Sequence, residues 1–431
     1  MLDRPFDPET RIVSRKDAPR VIERDCDICV VGSGASGASA AIEAARAGNR
    51  VILVDGLPTL GGQAVNSIIG MFCGLFSPGP DGRQLTHGIA DEILHDLGAS
   101  GDLHIVQGGV MKNAMYNEVA LGRWVEKTVL AAGVQPLTGA IIRGVDVEDR
   151  RIVALQVATR HGDVRIRANG FIDASGDAAL GWQAGFDCRV HKNGQVYGSQ
   201  MLIVEGVDDA HKPDWATMAA RIAERGEHYG MMRRDGFAAT YPGRDVAMVN
   251  MTHIETPLDP FEAAAKQIDG KEQADRTLIF LRAEFPEAFG NAKVRTYGLP
   301  GIRQTRWIVG THHLTTEEVR AATQFPDAVA RCSWPLEQHH NREGYVWEVF
   351  PEDHVHTVPL GSLTVAGADN LCAVGRCIDA DSTALSSVRV MGPCIAMGAA
   401  AAHALSLAGS GSVHQIDIAA LRERLSANLV S

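Results

Sequence analysis

Cysteine is scarce in this sequence, with 8 among 431 residues and no regular spacing. That excludes a disulfide framework and leads to the expectation of a reduced, cytoplasmic protein. Cys26 and Cys29 form a C-x-x-C, but they sit inside the strand-like run CDICVV. Alternation there puts i and i+3 on opposite faces, which argues against a redox or zinc pair. Positive charge is also short: 41 Lys and Arg against 52 Asp and Glu leave a net charge of −11. A nucleic-acid partner needs a basic face and is not expected, whereas an anionic small molecule, met by a few local arginines, stays open. No unbroken run of about 18 apolar residues exists, so no membrane-spanning helix and no membrane partner are expected. The opening MLDRPFDPETRIVSRKD lacks the apolar stretch of a secretory signal.

Glycine, by contrast, is plentiful, with 45 residues grouped at a few sites. Such grouping points to tight turns and to backbone that lies close to a ligand. After a polar arm, 1–24, the strand CDICVVG, a glycine turn, an alanine-rich helix to about Ala47 and the strand RVILVD spell a β-α-β unit. Residues 140–175 break into IIRGVDV, RIVALQVAT and DVRIRA, a three-stranded antiparallel meander that returns to the buried strand GFIDASGD. The middle, about 185–360, mixes strands such as VAMVNMTHI with helices. One helix starts at Asp259 as N-cap, with Pro260 first and Glu262 as capping-box partner, and stops before Pro286; another starts at Thr315 with Glu318. Near residue 365 the first character returns, with NLCAVG and the small-residue helix GPCIAMGAAAAHALSLAG.

Gly32-Ser33-Gly34-Ala35-Ser36-Gly37 fits G-x-G-x-x-G in its strand-turn-helix setting. Gly32 makes the turn, Gly34 admits a pyrophosphate to the backbone, and Gly37 packs helix on sheet. The helix start offers free N–H groups to phosphate. Asp55, followed by Gly56, ends the second strand where a carboxylate meets ribose hydroxyls, and it disfavours a 2′-phosphate. The ligand is therefore FAD or NAD. Three further features favour the flavin. Gly61 and Gly62, with Gln63 and Ala64 after them, form a second glycine turn. Ala174, Ser175, Gly176 and Asp177 close the meander that Ala140 opens. Finally, Gly375 and Arg376 return to the sheet just before Val388, Arg389, Met391 and Gly392, which open a helix whose positive end suits a reduced flavin.

At these residues the sequence resembles the FAD-dependent oxidoreductase family of glutathione-reductase/fumarate-reductase-like flavoproteins. GIRQTRWIVG followed by LTTEEV resembles that family's central signature, and GRCIDADSTALSSVRVMGPCIAMGAAAA its flavin-contacting end, so the matches span about residues 26–408. The resemblance implies a Rossmann-like α/β FAD-binding domain, 25–185 and 360–431, with parallel sheet and meander. An α+β substrate or cap domain, 186–359, is inserted in it. FAD would be held through Gly32, Gly34, Gly37, Asp55, Gly62, Asp177, Gly375 and Arg376, with residues 389–392 near the ring. Asp379 and Asp381 stand where relatives often carry serine or histidine; they either alter substrate charge preference or face solvent.

For chemistry, Arg303 either clamps a substrate carboxylate or forms an interface ion pair, and Arg306, three residues on, points to the other face. His312 or His313 offers a general acid or base, or a hydrogen-bonded interdomain histidine. His339 and His340 read the same way, and so does the pair His354 and His356. The latter two share a strand face as a metal site would require, yet no third ligand accompanies them and no metal is expected. Arg389 either stabilises anionic flavin or pairs with Asp379 or Asp381. No second G-x-G-x-x-G and no flavin-adjacent cysteine pair is present, so a disulfide reductase is not expected. The expected activity moves a hydride between flavin N5 and a small polar, possibly carboxylated, substrate, with Arg303, His312 and Arg389 as catalytic residues. A flavin monooxygenase and an electron-transfer subunit are the alternatives. The electron donor or acceptor and a homo-oligomeric state are left open.

Overall fold

The computed structural model describes residues 21–191, 196–241 and 244–430. Most of the expected N-terminal arm, residues 1–20, lies outside the described residues. The chain is a mixed α/β fold built on one seven-stranded sheet. Its strands are β1 (Ile22–Val31), β2 (Val51–Asp55), β3 (Gln135–Thr138), β4 (Ile141–Glu148), β5 (Arg151–Thr159), β6 (Gly162–Asp173) and β7 (Leu371–Ala373). The order is β3-β2-β1-β6-β5-β4, with β7 also paired to β6. Every pairing among β3, β2, β1, β6 and β7 is parallel, whereas β4, β5 and β6 run antiparallel. Strand β6 is long because it serves two neighbours on one edge: residues 162–167 pair with β5, and 171–173 pair with β7. All five residues of β2 are buried, as a parallel strand covered on both faces requires.

One expectation fails in β1. The N–H groups of Asp27 and Ile28 both donate to the Arg50 carbonyl, at 2.8 and 3.2 Å. There the alternation of faces breaks, while the register between β1 and β6 continues unshifted. Cys26 and Cys29 consequently face the same core, together with Val31, while Ile28 and Val30 face the other. Both thiols are buried and free.

Helix α1 (Ala35–Arg46) and helix α2 (Met391–Ala408), from opposite ends of the chain, pack backbone to backbone. A Cβ on Gly398 would lie 2.1 Å from the Ser36 carbonyl oxygen, so only glycine permits this approach. By length and mean hydropathy alone, 18 residues and 1.4, α2 could cross a bilayer, but 78% of it is buried inside the protein, as in a core helix.

A second core lies under a four-stranded antiparallel sheet, Phe237–Thr240, Val246–Asn250, Leu202–Glu205 and Lys293–Tyr297 in spatial order. Helices Trp215–Arg225 and Pro260–Glu284 contribute to that core. The Asp259 side chain caps the longer helix at the N–H groups of Phe261 and Glu262; Glu262 takes part through its backbone. At Thr315 the expected reciprocal box with Glu318 is formed. The stretch 306–359, grouped with the substrate domain on sequence, packs differently. Leu314, Val319, Val329, Trp334, Leu336 and Val358 join the core that covers the parallel sheet.

Glu284 ends the long helix and accepts hydrogen bonds from Tyr229 and Arg221 at 2.6 and 2.8 Å. Tyr229, Arg221 and Arg225 hold its carboxyl at about 2, below its ordinary 4.5. A depressed carboxylate stabilises the fold above its unfolded value and loses that contribution as pH falls through its folded value. Glu284→Gln should therefore flatten the acid side of the stability curve between those two values, read from thermal melts against pH. An unchanged acid limb would remove Glu284 from the account.

Candidate active site

A cavity of about 860 Å³ opens where β1, β2, β6 and β7 end. Its first wall is made of turns that exclude side chains. Gly32 has φ +99°, and a Cβ there would sit 2.3 Å from the Ala174 carbonyl oxygen. Gly62 has φ +52°, and its Cβ would strike the Gly34 Cα at 2.5 Å, so the two glycine turns touch. A Cβ on Gly34 would meet nothing within 4 Å, which leaves space in front of the α1 N-terminus. Asp55 is fixed beneath the turn: Ser33 donates from N and Oγ to Oδ2 at 2.7 and 2.6 Å, and Leu57 N donates to Oδ1 at 2.7 Å. On the far side, the Arg376 guanidinium lies against Gly176, and its Nη1 is buried with no hydrogen-bond partner, 3.8 Å from Asp177 Oδ1.

The residues expected to hold a cofactor divide cleanly. Gly32, Ser33, Gly34, Ala35, Ser36, Asp55, Gly56, Gly62, Gln63, Ala64 and Ala140 line the cavity. So do Ala174, Ser175, Gly176, Asp177, Gly375, Arg376, Arg389 and Met391. Gly37, Gly61, Val388 and Gly392 do not. A Cβ on Gly37 would lie 1.9 Å from the Gly32 carbonyl, and one on Gly392 would lie 2.2 Å from that of Gly74, so both permit packing. Gly61, at φ +99°, shapes its turn beside Val65, and Val388 is a fully buried core residue.

The opposite end of the cavity is aromatic and cationic. Trp215, Phe237, Trp334, Tyr345 and Trp347 line it, with Arg233, Arg303, Arg389 and one carboxylate, Glu337. Arg303 donates to the Tyr197 carbonyl at 2.6 Å and to Ser199 Oγ at 3.0 Å. Burial, then Arg389 and Arg233, makes its charge costly and lowers its pKa. Arg389 reaches the Glu337 carbonyl only at 3.4 Å, and its Nε is buried without a partner. Arg233 pairs with Asp235, donates to Asn250 Oδ1 at 2.9 Å and lies 5.5 Å from the Tyr345 ring centre. Burial alone would raise Glu337, but His339, Arg389 and Arg303 outweigh it and hold the carboxyl at about 2.

The histidines chosen on sequence lie elsewhere. His312 is outside the lining and contacts Glu318 at 3.2 Å, so the capping carboxylate of the following helix takes it from the site. His313 is held by Asp379 at 2.6 Å. Arg306 donates to the Asp177 carbonyl and stacks over Trp182, outside the cavity wall. His354 and His356 face each other at 3.1 Å, and among the described residues no group of three or more His, Cys, Asp or Glu is arranged to hold a metal.

Asp379 and Asp381 both lie outside the cavity lining. Asp379 is fully buried and accepts from Arg189, His313 and the Gly310 N–H. Asp381 caps the helix Ser382–Val388 at Ala384 N and accepts from Thr316. Arg189 and His313 are more than a third exposed and return to solvent when Asp379 is removed, so Asp379→Ala should cost about 1–3 kcal/mol in urea unfolding, mainly through the unpaired Gly310 N–H. A loss below about 1 kcal/mol would contradict this role.

The sequence reading missed Glu337, Trp334, Arg233, Tyr345 and Trp347. The one available signal was the spacing of Trp334, Glu337 and His339 within six residues of each other in WPLEQH.

The model of the FAD dependent oxidoreductase family matches residues 27–425. The chain belongs to that family. This FAD dependent oxidoreductase is thus a flavoprotein enzyme whose cofactor is FAD. No curated protein matches its sequence. Among solved structures it is similar to a geranylgeranyl bacteriochlorophyll reductase-like protein from Thermoplasma acidophilum. That match has a TM-score of 0.51 and 15% identity over 94% of this chain and 84% of the other. It is also similar to the flavin-dependent brominase Bmp2 (TM-score 0.46, 14% identity, 93% and 83% covered) and to the myxobacterial chondrochloren halogenase CndH (0.46, 13%, 93% and 78%). At 15% identity the first of these likenesses is one of fold. The residues present fit the cofactor: the open face of Gly34 suits a pyrophosphate, Asp55 suits a ribose, and the orphaned Arg376 Nη1 awaits an acceptor.

Proposed function

We propose that this oxidoreductase transfers a hydride between FAD and a small carboxylated molecule bound at the aromatic end of the cavity. Within a Rossmann-like nucleotide domain, Gly32, Gly34, Gly62, Asp55 and Arg376 would hold the dinucleotide part. Bound FAD supplies a two-electron acceptor or donor at N5. Arg389, at the entry to α2, would face the pyrimidine side of the ring, where negative charge collects on reduction. The observation that carries the substrate class is the convergence of Arg233, Arg303 and Arg389 on one apolar-walled space, with Arg389 Nε unpartnered. Such cations lose solvation on burial and regain it from a bidentate carboxylate. Trp334, Tyr345 and Trp347 exclude water and offer flat faces to the rest of the substrate.

The test is anaerobic mixing of the FAD-loaded protein with hydroxy acids, amino acids and their uncharged alcohol and amide analogues. Bleaching by carboxylates alone is the expected result. Bleaching by the uncharged analogues alone, or NAD(P)H consumption coupled to hydroxylation, would overturn it, the second in favour of a monooxygenase.

A further inference from the structure

Glu337 lines the cavity, and behind it a line of hydrogen bonds ends at a carbonyl. Glu337 Oε1 lies 2.8 Å from His339 Nε2, His339 Nδ1 lies 3.4 Å from His253 Nε2, and His253 Nδ1 lies 3.0 Å from the Arg342 carbonyl oxygen. Donor order follows from the far end. A carbonyl only accepts, so His253 carries its proton on Nδ1, and as a neutral ring it leaves Nε2 bare. With the 3.4 Å contact bonded, His339 donates from Nδ1 and leaves its own Nε2 bare toward Glu337. Two lone pairs facing at hydrogen-bond distance repel, so the last gap requires a proton that neither neutral ring supplies. The three gaps take three protons, and the two imidazoles provide two.

We propose that Glu337 and His339 share this third proton and exchange it with the substrate. Glu337 is then the catalytic acid and base of the cavity, with His339 and His253 as positioning residues behind it. The proposal rests on the reading that a small molecule is oxidised or reduced at this end of the cavity. When a C=O or C=N bond is reduced, bound reduced FAD would supply the electron pair of the new C–H bond, and Glu337 would give the shared proton to the O–H or N–H bond, which empties the gap to His339. Oxidation of the alcohol or amine is the reverse and refills it.

Neither host retains that proton well. Arg303 and Arg389 face Glu337, with Cys73 and Tyr345 the other titratable neighbours, and the two arginines favour its ionised form. Burial, followed by Arg303, pushes His339 well below the usual imidazole range. Burial, then Arg233 and Arg303, holds His253 at about 3 and keeps the far ring neutral. The second oxygen of Glu337 is anchored by Trp334 Nε1 at 3.0 Å, so the carboxyl keeps its orientation through the exchange.

The test is nitrogen NMR of the FAD-loaded protein labelled at histidine, with the two rings assigned by His253→Gln and His339→Gln. Expected are Nδ1–H tautomers for both rings and a His339 Nε2 signal between the bare and protonated limits. In Glu337→Leu that signal should move to the bare limit. Glu337→Gln, whose amide still donates to Nε2, should preserve both tautomers yet slow hydride transfer from the reduced flavin to substrate at least about 100-fold and flatten its pH profile. A His339 that carries its proton on Nε2 alone, donating to a permanent carboxylate, would overturn the proposal. So would a Glu337→Gln protein with the parent's rate and pH profile. Should the tautomers be as expected while benzoate leaves the flavin spectrum unperturbed, the carboxylate reading falls and the proton chain stands.

Discussion

Gly34→Val should purify folded and colourless. The backbone at Gly34 has φ −64° and ψ −174°, extended geometry open to any residue, and its Cβ would meet nothing within 4 Å. Without cofactor, the variant should therefore melt within about 0.5 kcal/mol of the parent apoprotein. The space that a valine enters is the one left in front of the α1 N-terminus, where the pyrophosphate must lie against backbone N–H groups. FAD affinity should fall about 100-fold, or roughly 2.8 kcal/mol, measured by titrating apoprotein with FAD and following the visible band. Gly32→Val separates binding from folding. At φ +99° and with its Cβ 2.3 Å from the Ala174 carbonyl oxygen, it should fail to fold at all. A Gly34→Val protein that binds FAD within about threefold of the parent would refute the placement of the phosphates.

The β-α-β unit could be read from the sequence because its constraints are local. Buried parallel strands must be apolar throughout, as VILVD is, and a turn that passes under a carbonyl must be glycine, as at Gly32. The break in alternation at Asp27 and Ile28 accompanies their shared bonds to the carbonyl of Arg50, just before β2, and nothing in CDICVV announces it. Alternation was therefore the wrong guide for Cys26 and Cys29. The histidines failed for a related reason. An extended segment fixes only that neighbours point to opposite sides; Glu318 and Asp379 decide which side is the site, and both lead away from it. Asp379 itself looked like a modifier of substrate charge, but Arg189 arrives from 190 positions earlier to bury it.

The aromatic and cationic end of the cavity is the least local feature of all. Arg233 and Asn250 come from the four-stranded unit, Tyr345 and Trp347 from the loop and strand that follow His339, and Arg389 from the approach to α2. No pattern within a window of residues joins them. Arg303 was recoverable because it lies in GIRQTRWIVG, where a family signature marks it, and Arg389 because it precedes the helix that carries the flavin end. Glu337 has no such signature, and only its neighbours on the strand Leu336–Gln338 and beyond give it a role.

Arg303→Ala should keep the parent flavin spectrum and lose its reaction with carboxylated substrates. The guanidinium is held by the Tyr197 carbonyl and Ser199 Oγ, neither of which belongs to the nucleotide turns, so cofactor binding has no reason to change. Those bonds use two of five N–H donors and leave the rest of the fork to the cavity. Removing one partner of a desolvated charge pair costs about 2–5 kcal/mol, or roughly 30- to several-thousand-fold in kcat/KM. Arg303→Lys should recover little, because a point charge cannot reproduce two parallel bonds to a carboxylate. The uncharged analogue decides between a clamp and a scaffold. If Arg303 binds the carboxylate, the amide or alcohol of the same substrate should lose less than about tenfold, since it never drew on the fork. Equal losses for charged and uncharged compounds would mean that Arg303 only braces the four-stranded unit against the flavin domain. Substrate recognition would then pass to Arg389, whose Nε has no partner of its own.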